Sequence, residues 1–388
     1  MEKIKRNTYL EEIVYNFKVA PVVTILGPRQ CGKTSLAKSY IRSLEAYGKE
    51  TVHYFDLEKF DDLNALENSY LQLSKLEGLI VIDEIQKMPS IFESIRVLVD
   101  DDNLKQRYLI LGSASGKLMN QSSETLAGRI SYLELTPFNS NEVYDLDKLW
   151  IRGGYPLSYL AEMDKISYDW RQNYILTFLY KDIPDLGIKV PPKNLQRFWS
   201  ILCNYHGCLA NYQNIGNALE LSSHTIKNYV DILSSTFMIR QLHPWYENIS
   251  KRQVKSPKFY IRDSGLLHTL LSIKSYEELS KNPILGPSWE GFMLEEIIKA
   301  HKIRDNECYF WRTQTGVELD LLLVNGLKKI GFEFKYGQKI KITKSMRISI
   351  EDLNLEKLYV IYPGDKVYDL SDKITVINLR NYLSLLNE

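Results

Sequence analysis

Short runs rich in aliphatic and β-branched residues punctuate the first third of the chain, at residues 22–26, 50–55, 79–82, 108–111 and 130–135. Runs this short and this apolar predict strands, several of them buried on both faces. Between them, residues 7–20, 35–40 and 61–76 place apolar side chains at helical spacing. Strand and helix in alternation predict a parallel sheet with helices on its faces. The Gly153-Gly154-Tyr155-Pro156 break follows, and then helices over 157–182. Residues 211–220 and 224–233 read as two short helices around a Leu221-Ser222-Ser223 turn. After Gly286-Pro287 a helix is expected over 289–298, capped by Ser288, and then strands at 307–312, 318–324 and 329–335 with a hairpin turn at Asn325-Gly326.

A chain of 388 residues exceeds one ordinary core, so several domains are expected, with boundaries near 1–148, 149–262 and 263–388. No window approaches the ~20 apolar residues of a membrane span, and no apolar signal core follows Met1-Glu2-Lys3-Ile4-Lys5-Arg6. The four cysteines (Cys31, Cys203, Cys208, Cys308) make no C-x-x-C pair, so the expectation is a cytoplasmic protein without membrane, disulfide framework or zinc site. A net charge of +1 hides a local imbalance: residues 191–262 hold nine Lys/Arg against three Asp/Glu. A basic surface there is a candidate for nucleic-acid phosphates, against the ordinary alternative of a solvated face.

The sharpest chemistry is Gly27-Pro28-Arg29-Gln30-Cys31-Gly32-Lys33-Thr34, with Ser35 opening the next helix. The two glycines let the backbone curl so that successive N–H groups face an anion, and the following helix adds its positive end. In this pattern Lys33 reaches the β- and γ-phosphates of a nucleotide and Thr34 ligates Mg²⁺. Cys31 inside the loop is either an oxidation-sensitive thiol or a spectator.

A second apolar run ends in Asp83-Glu84. Adjacent acids there are costly without a metal or a task, so Asp83 is expected to support Mg²⁺ and Glu84 to polarise the attacking water. Ser113, in Gly112-Ser113-Ala114-Ser115, either senses the γ-phosphate or the attacking water from the side or merely caps the step from strand to helix. Arg129, in Leu126-Ala127-Gly128-Arg129, either reaches into a neighbouring subunit's nucleotide, which requires a homo-oligomer, or pairs with Glu134 or another surface acid.

Together these motifs resemble the prokaryotic AAA-type P-loop ATPases whose C-terminal domain, of unknown function, has a restriction-endonuclease-like fold. The resemblance implies a multidomain α/β chain: a P-loop NTPase parallel sheet, a helical lid with a winged helix, and a PD-(D/E)XK nuclease-like domain. It implies ATP and Mg²⁺ as ligands.

The middle of the chain resembles a helix-turn-helix, with Ala218 at the packing point, Ser222 as cap, and Ile226, Tyr229, Val230 and Leu233 facing inward. Lys227 on the second helix, and Lys251, Arg252, Lys255 and Lys258 on an expected wing, are candidate DNA contacts. The alternative is a structural or protein-docking module. In the last third, Asp320 followed by Glu333-x-Lys335, with Glu290 upstream, resembles the nuclease signature, although Leu319 stands where the signature's proline would be. Asp320 and Glu333 would share a metal while Lys335 orients water. Lys339, Lys341, Lys344 and Arg347 follow as a basic face. Three readings stay open for this domain: metal-dependent nuclease, inactive nucleic-acid-binding relic, and protein-interaction module. The reading for the whole is a Mg-dependent ATP-binding protein and ATP hydrolase acting on, or gated by, nucleic acid. Its alternatives are an ATP-controlled nuclease and a non-catalytic nucleotide switch or scaffold.

Overall fold

The computed structural model describes residues 4–46, 48, 50–101, 105–113, 122–303 and 305–386. The chain divides into two compact units, residues 1–138 with 235–237, and residues 139–234 with 238–388.

The first unit is built on a five-stranded parallel sheet of β1 (Val22–Gly27), β2 (Val52–Asp56), β3 (Gly78–Asp83), β4 (Gln106–Ser113) and β5 (Ile130–Glu134), in the order β2-β3-β4-β1-β5. Period-2 alternation divides its apolar residues between two cores. Val23, Ile25, Leu79, Val81, Leu109 and Leu111 pack under helices Asn7–Val19 and Lys33–Ala46. Val22, Leu26, Ile80, Ile82, Tyr108 and Ile110 pack with Ile91, Phe92, Ile95 and Leu98 of helix Ile91–Val99. Helices on both faces explain why these strands are apolar at consecutive positions. The helical stretch expected over 61–76 is two short helices, Phe60–Ala65 and Ser69–Leu73, because the Asn68 side chain accepts from Leu71 N–H and starts a new helix. The carboxyl ends of β1, β4 and β3 lie side by side, with Gly27 in register with Ser113. Open parallel sheets bind ligands at such carboxyl ends, where the strand order reverses.

The second unit begins with helices and continues into a sheet, with a last helix at Leu379–Leu386. Helices Tyr212–Leu219 and Ser223–Ser235 bury Ile226, Tyr229, Val230 and Leu233 as expected, and Ser222 Oγ accepts from Thr225 N–H. The packing point is not Ala218, which is exposed, but Gly216: a Cβ there would stand 2.5 Å from the Leu221 carbonyl oxygen. A two-stranded ribbon, β6 (Ile239–Leu242) with β7 (Lys258–Ile261), follows. The segment between them is not a free wing. Trp245 N–H donates to the Phe310 carbonyl, Val254 N–H to Arg312, and Trp311 Nε1 to Gln253, so these residues are stitched to the strand at residues 308–312.

The last sheet contains β8 (Cys308–Arg312), β9 (Glu318–Asn325), β10 (Lys328–Phe334), β11 (Lys357–Ile361), β12 (Tyr368–Ser371) and β13 (Ile374–Ile377), in the order β12-β13-β11-β10-β9-β8. The hairpin expected at Asn325-Gly326 sits one residue on. Asn325 pairs with Lys328, and Gly326 takes φ +61° at the first turn position. The helix expected from Trp289 is longer, Leu285–His301, with Gly286 and Pro287 in its first turn, where proline loses no helical bond. Ser288 is therefore not its cap. It is buried, accepts from Trp150 Nε1 at 3.0 Å and lies 2.7 Å from His268 Nε2, while His268 Nδ1 lies 3.2 Å from the Ile151 carbonyl. That chain of contacts fits a neutral imidazole that donates from Nδ1 and accepts at Nε2.

Burial holds the His268 imidazole at about 4 and that of His206 at about 3, below the ~6.5 of an exposed histidine. Unfolding lets both take up protons, so their contribution is intact above pH ~6.5 and is lost as pH falls toward 4. All six tryptophans lie in this unit, so their fluorescence follows its unfolding alone. We expect stability so measured to fall between pH 5.5 and 4.5, and His268→Gln to lessen that slope by about one proton, ~1.4 kcal/mol per pH unit.

Candidate functional site: a phosphate loop and a carboxylate–lysine cluster

β1 delivers its carboxyl end to the loop, and close packing fixes the loop's shape. A Cβ on Gly27 would lie 2.2 Å from the Leu135 carbonyl oxygen, so only glycine fits there. Gly32 takes φ +104° and Gln30 φ +61°. Lys33 is buried, and its Nζ donates to the carbonyls of Gly27 at 3.0 Å and Pro28 at 2.9 Å. Arg29 reaches Glu58 at 3.4 Å near the surface. Cys31 is fully buried, with Sγ 3.4 Å from the Leu135 carbonyl oxygen; burial pushes its thiol up, which favours the spectator over a reactive thiolate. The helix that carries Thr34 and Ser35 starts at Lys33.

β3 brings Asp83 against this loop. Its Oδ2 accepts from Thr34 Oγ1 at 2.8 Å and from the Tyr54 hydroxyl at 2.7 Å. Glu84 follows in a left-handed conformation, φ +59°, which a non-glycine residue holds only where its surroundings enforce it. Burial pushes the Glu84 carboxyl up, while the Lys33 ammonium and the Gln86 amide oppose the shift. Gln86 Nε2 donates to the Glu84 carboxylate, and its Oε1 accepts from Ser113 N–H at 3.3 Å. Asp83, Glu84 and Ser113 therefore converge at the strand ends beside Lys33 and Thr34. Ala114 and Ser115 lie outside the described residues. Arg129 does not converge with them: it precedes β5 at the amino end of the sheet, roughly 15 Å, a strand length, from its own chain's loop, and its guanidinium grips Asp100 with Nη2–Oδ2 at 2.8 Å.

In the second unit, β9 and β10 set Asp320 and Glu333 next to each other beyond the Phe332–Leu321 pair. Both are buried. Lys335 Nζ lies 2.6 Å from Glu333 Oε2 and 3.6 Å from Asp320 Oδ2, and Phe334 N–H donates to Asp320 Oδ2 at 2.9 Å. Glu333 Oε1 is buried with no hydrogen-bond partner. Burial and the neighbouring Asp320 push the Glu333 carboxyl up. Glu290, on helix Leu285–His301, faces a different cation: its Oε1 accepts from Tyr260 at 2.6 Å and from Lys258 at 3.2 Å. Lys258 also pairs with Glu318 at 2.5 Å. Among the described residues no three His, Cys, Asp or Glu side chains are arranged to hold a metal.

Lys258 therefore corrects an expectation. It is not a wing-tip contact for DNA but a buried cation, 2% exposed, inside the acid cluster. The basic excess of residues 191–262 is likewise compensated from elsewhere in the chain: Arg240 and Arg262 hold Glu295, and Lys251 holds Asp352 at 2.6 Å. Lys227, Arg252 and Lys255 remain exposed, as do Lys339, Lys341, Lys344 and Arg347.

Residues 19–144 match the family described as an AAA domain, residues 143–277 a domain of unknown function (DUF8612), and residues 285–382 another (DUF4143). Two curated proteins, Rv2008c of Mycobacterium tuberculosis and Mb2031c of Mycobacterium bovis, are each 42% identical over 360 residues, covering 92% of this chain and 80% of the relative. The chain belongs to their family. Its first part is an AAA domain with an α/β P-loop fold, and its C-terminal part is a DUF4143 domain. Among solved structures, the Walker-type ATPase PABY2304 of Pyrococcus abyssi aligns at TM-score 0.47 and 13% identity, over 69% of this chain and 96% of that one. DnaA of Aquifex aeolicus with AMPPCP aligns at TM-score 0.29 and 16% identity, over 60% and 89%. These two likenesses are too loose to bear on function. No helix among the described residues is long and apolar enough to cross a membrane.

Four residues of this AAA–DUF4143 chain escaped the sequence reading: Arg6, Tyr54, Gln86 and Glu318. None stands inside a motif, and only the fold brings them to the sites. Breaking a buried ion pair costs more than breaking an exposed one. We expect Lys258→Met to destabilise the second unit by about 3 kcal/mol, and Lys251→Met, whose partner Asp352 is reached from an exposed lysine, by less than about 1 kcal/mol. Urea unfolding followed by tryptophan fluorescence measures both; equal effects would contradict this placement of Lys258.

Proposed function

We propose that the chain binds ATP with Mg²⁺ at the phosphate loop and hydrolyses it, and that this cycle gates the action of its later domains on nucleic acid. The observation that carries the reading is the Thr34 hydroxyl on the Asp83 carboxylate at 2.8 Å, beside a lysine folded onto the same loop. A hydroxyl and a carboxylate set side by side are hard oxygen donors that fit Mg²⁺. When bound, the ion supplies positive charge against the β- and γ-phosphate oxygens. Lys33 exchanges its two carbonyl partners for phosphate oxygens. Glu84 accepts a proton from the water that attacks the γ-phosphorus, the bond to the bridging oxygen breaks, and ADP and phosphate leave. Ser113, beside Gly27 at the end of β4, orients that water or the γ-phosphate. The three parts of the proposal divide near 1–148, 149–262 and 263–388, with nucleic acid met by Lys227, Arg252 and Lys255 and by the Lys339–Arg347 face.

A second reading is favoured by one atom, the buried, unpartnered Glu333 Oε1 beside Asp320 and Lys335. Two carboxylates with an open oxygen fit a divalent cation, held by Asp320 and Glu333, and a Lys335 that orients water. That cluster would make the chain an ATP-controlled nuclease.

Glu84→Gln should retain ATP binding and lose turnover by roughly 10²–10⁴-fold, read as phosphate release against nucleotide affinity. Loss of binding with turnover would contradict the assigned role. Plasmid and linear DNA incubated with Mg²⁺ or Mn²⁺, with and without ATP, test the second reading. Cleavage abolished by Asp320→Ala supports it, and ATP hydrolysis without cleavage under any condition overturns it.

A further inference from the structure

Arg6 lies before the first helix and outside every motif, yet its side chain is buried, 8% exposed, against the phosphate loop. Its Nη1 donates to the Cys31 carbonyl at 3.0 Å and its Nη2 to the Thr136 carbonyl at 2.8 Å. The Tyr9 and Phe138 rings pack over the guanidinium at 4.6 and 5.5 Å, and the Tyr9 hydroxyl lies 3.0 Å from Thr136 Oγ1, so the fork is fixed on three sides. The site of a Cβ on Gly32, where the loop turns into its helix, is 3.8 Å from Nη1.

A loop that binds an anion must present its N–H groups inward, which turns its carbonyls outward, and a buried carbonyl needs a donor of its own. Four carbonyls of the loop have one: Gly27 and Pro28 take Lys33, Gly32 takes Leu36 N–H at 2.9 Å, and Cys31 takes Arg6. Lys33 leaves its two carbonyls when it engages phosphate. Arg6 instead joins the loop to the Thr136 carbonyl just past β5. Its charge is also felt within the loop: burial raises the Cys31 thiol, and the fields of Lys33 and Arg6 oppose that rise.

We propose that Arg6 is a positioning residue for the nucleotide. It holds the Cys31 carbonyl away from the phosphates, ties the loop to Thr136 and places a buried positive charge behind the loop. The inference rests on the nucleotide reading above and deepens it, since the ligand is recognised as a polyphosphate. Lysine keeps the charge but cannot span both carbonyls, so Arg6→Lys separates charge from geometry. Methionine keeps the packing stem and removes both.

The test is titration of the full chain with a fluorescent ATP analogue and Mg²⁺, displaced by ATP and by ADP, together with nucleotide-free melting of each variant. We expect Arg6→Met to weaken nucleotide affinity roughly 10–100-fold and Arg6→Lys roughly 3–10-fold, with the loss falling on KM more than on kcat. A structural role alone would lower the melting temperature and leave the affinity of the folded protein unchanged, and that result overturns the inference. If Arg6→Met does not fold, Arg6→Lys decides by the same criterion. Wild-type protein and Lys33→Ala separate the two failures. Wild type that binds, Lys33→Ala that does not, and Arg6 variants with wild-type affinity would refute only the role of Arg6; wild type that does not bind would refute the nucleotide reading itself.

Discussion

An anion-binding loop works only while its carbonyls are turned away from the anion, and much of the first unit is arranged to meet that constraint. β1 is buried on both faces and delivers Gly27 against the Leu135 carbonyl, where no side chain fits. Lys33, Arg6 and the first turn of the following helix then supply donors to the carbonyls of Gly27, Pro28, Cys31 and Gly32. The parallel register that sets Gly27 beside Ser113 also brings Asp83 within reach of Thr34. Sheet, loop and acids are one geometric problem, since a shift of β1 by one residue would turn its side chains to the opposite faces and carry the loop with it.

In the second unit the same question, where buried charge finds its partner, is answered across long sequence separations. Glu295 is fully buried; burial alone would raise its carboxyl, but the Arg240 and Arg262 guanidiniums outweigh that and hold it at about 2. Lys258 does the corresponding work for Glu290 and Glu318, and the attraction of these acids and of Tyr260 keeps its ammonium raised despite burial. Buried pairs of this kind are weak evidence for added stability but strong evidence that neither partner can be removed alone. They join the β6–β7 ribbon to helix Leu285–His301 and to β9, and the segment between those two strands is hydrogen-bonded along β8 and does not stand out as a wing.

The parallel sheet, the phosphate loop, Asp83 and Glu84 were legible because each is a local pattern: an apolar run, a fixed glycine spacing, acids at a strand end. The helix-turn-helix pair was legible in its apolar positions but not in its packing point, since an exposed Ala218 and a buried Gly216 differ only in what Leu221 approaches. The basic excess of residues 191–262 misled, because a window of sequence counts cations and cannot see acids that arrive from Glu290, Glu295, Glu318 and Asp352. Arg6, Tyr54 and Gln86 were invisible for the same reason. Their contacts span 25, 29 and 27 residues or lie between elements that only the fold makes neighbours.

On the proposed function, the loop from Gly27 to Thr34 holds one nucleotide per chain. Equilibrium titration of the full chain with ATP, with Mg²⁺ and then with EDTA, tests it most directly. Saturable binding with a stoichiometry of one, weakened by EDTA and abolished in Lys33→Ala, is expected. Binding that is absent in the wild type, or that survives unchanged in Lys33→Ala, would contradict it.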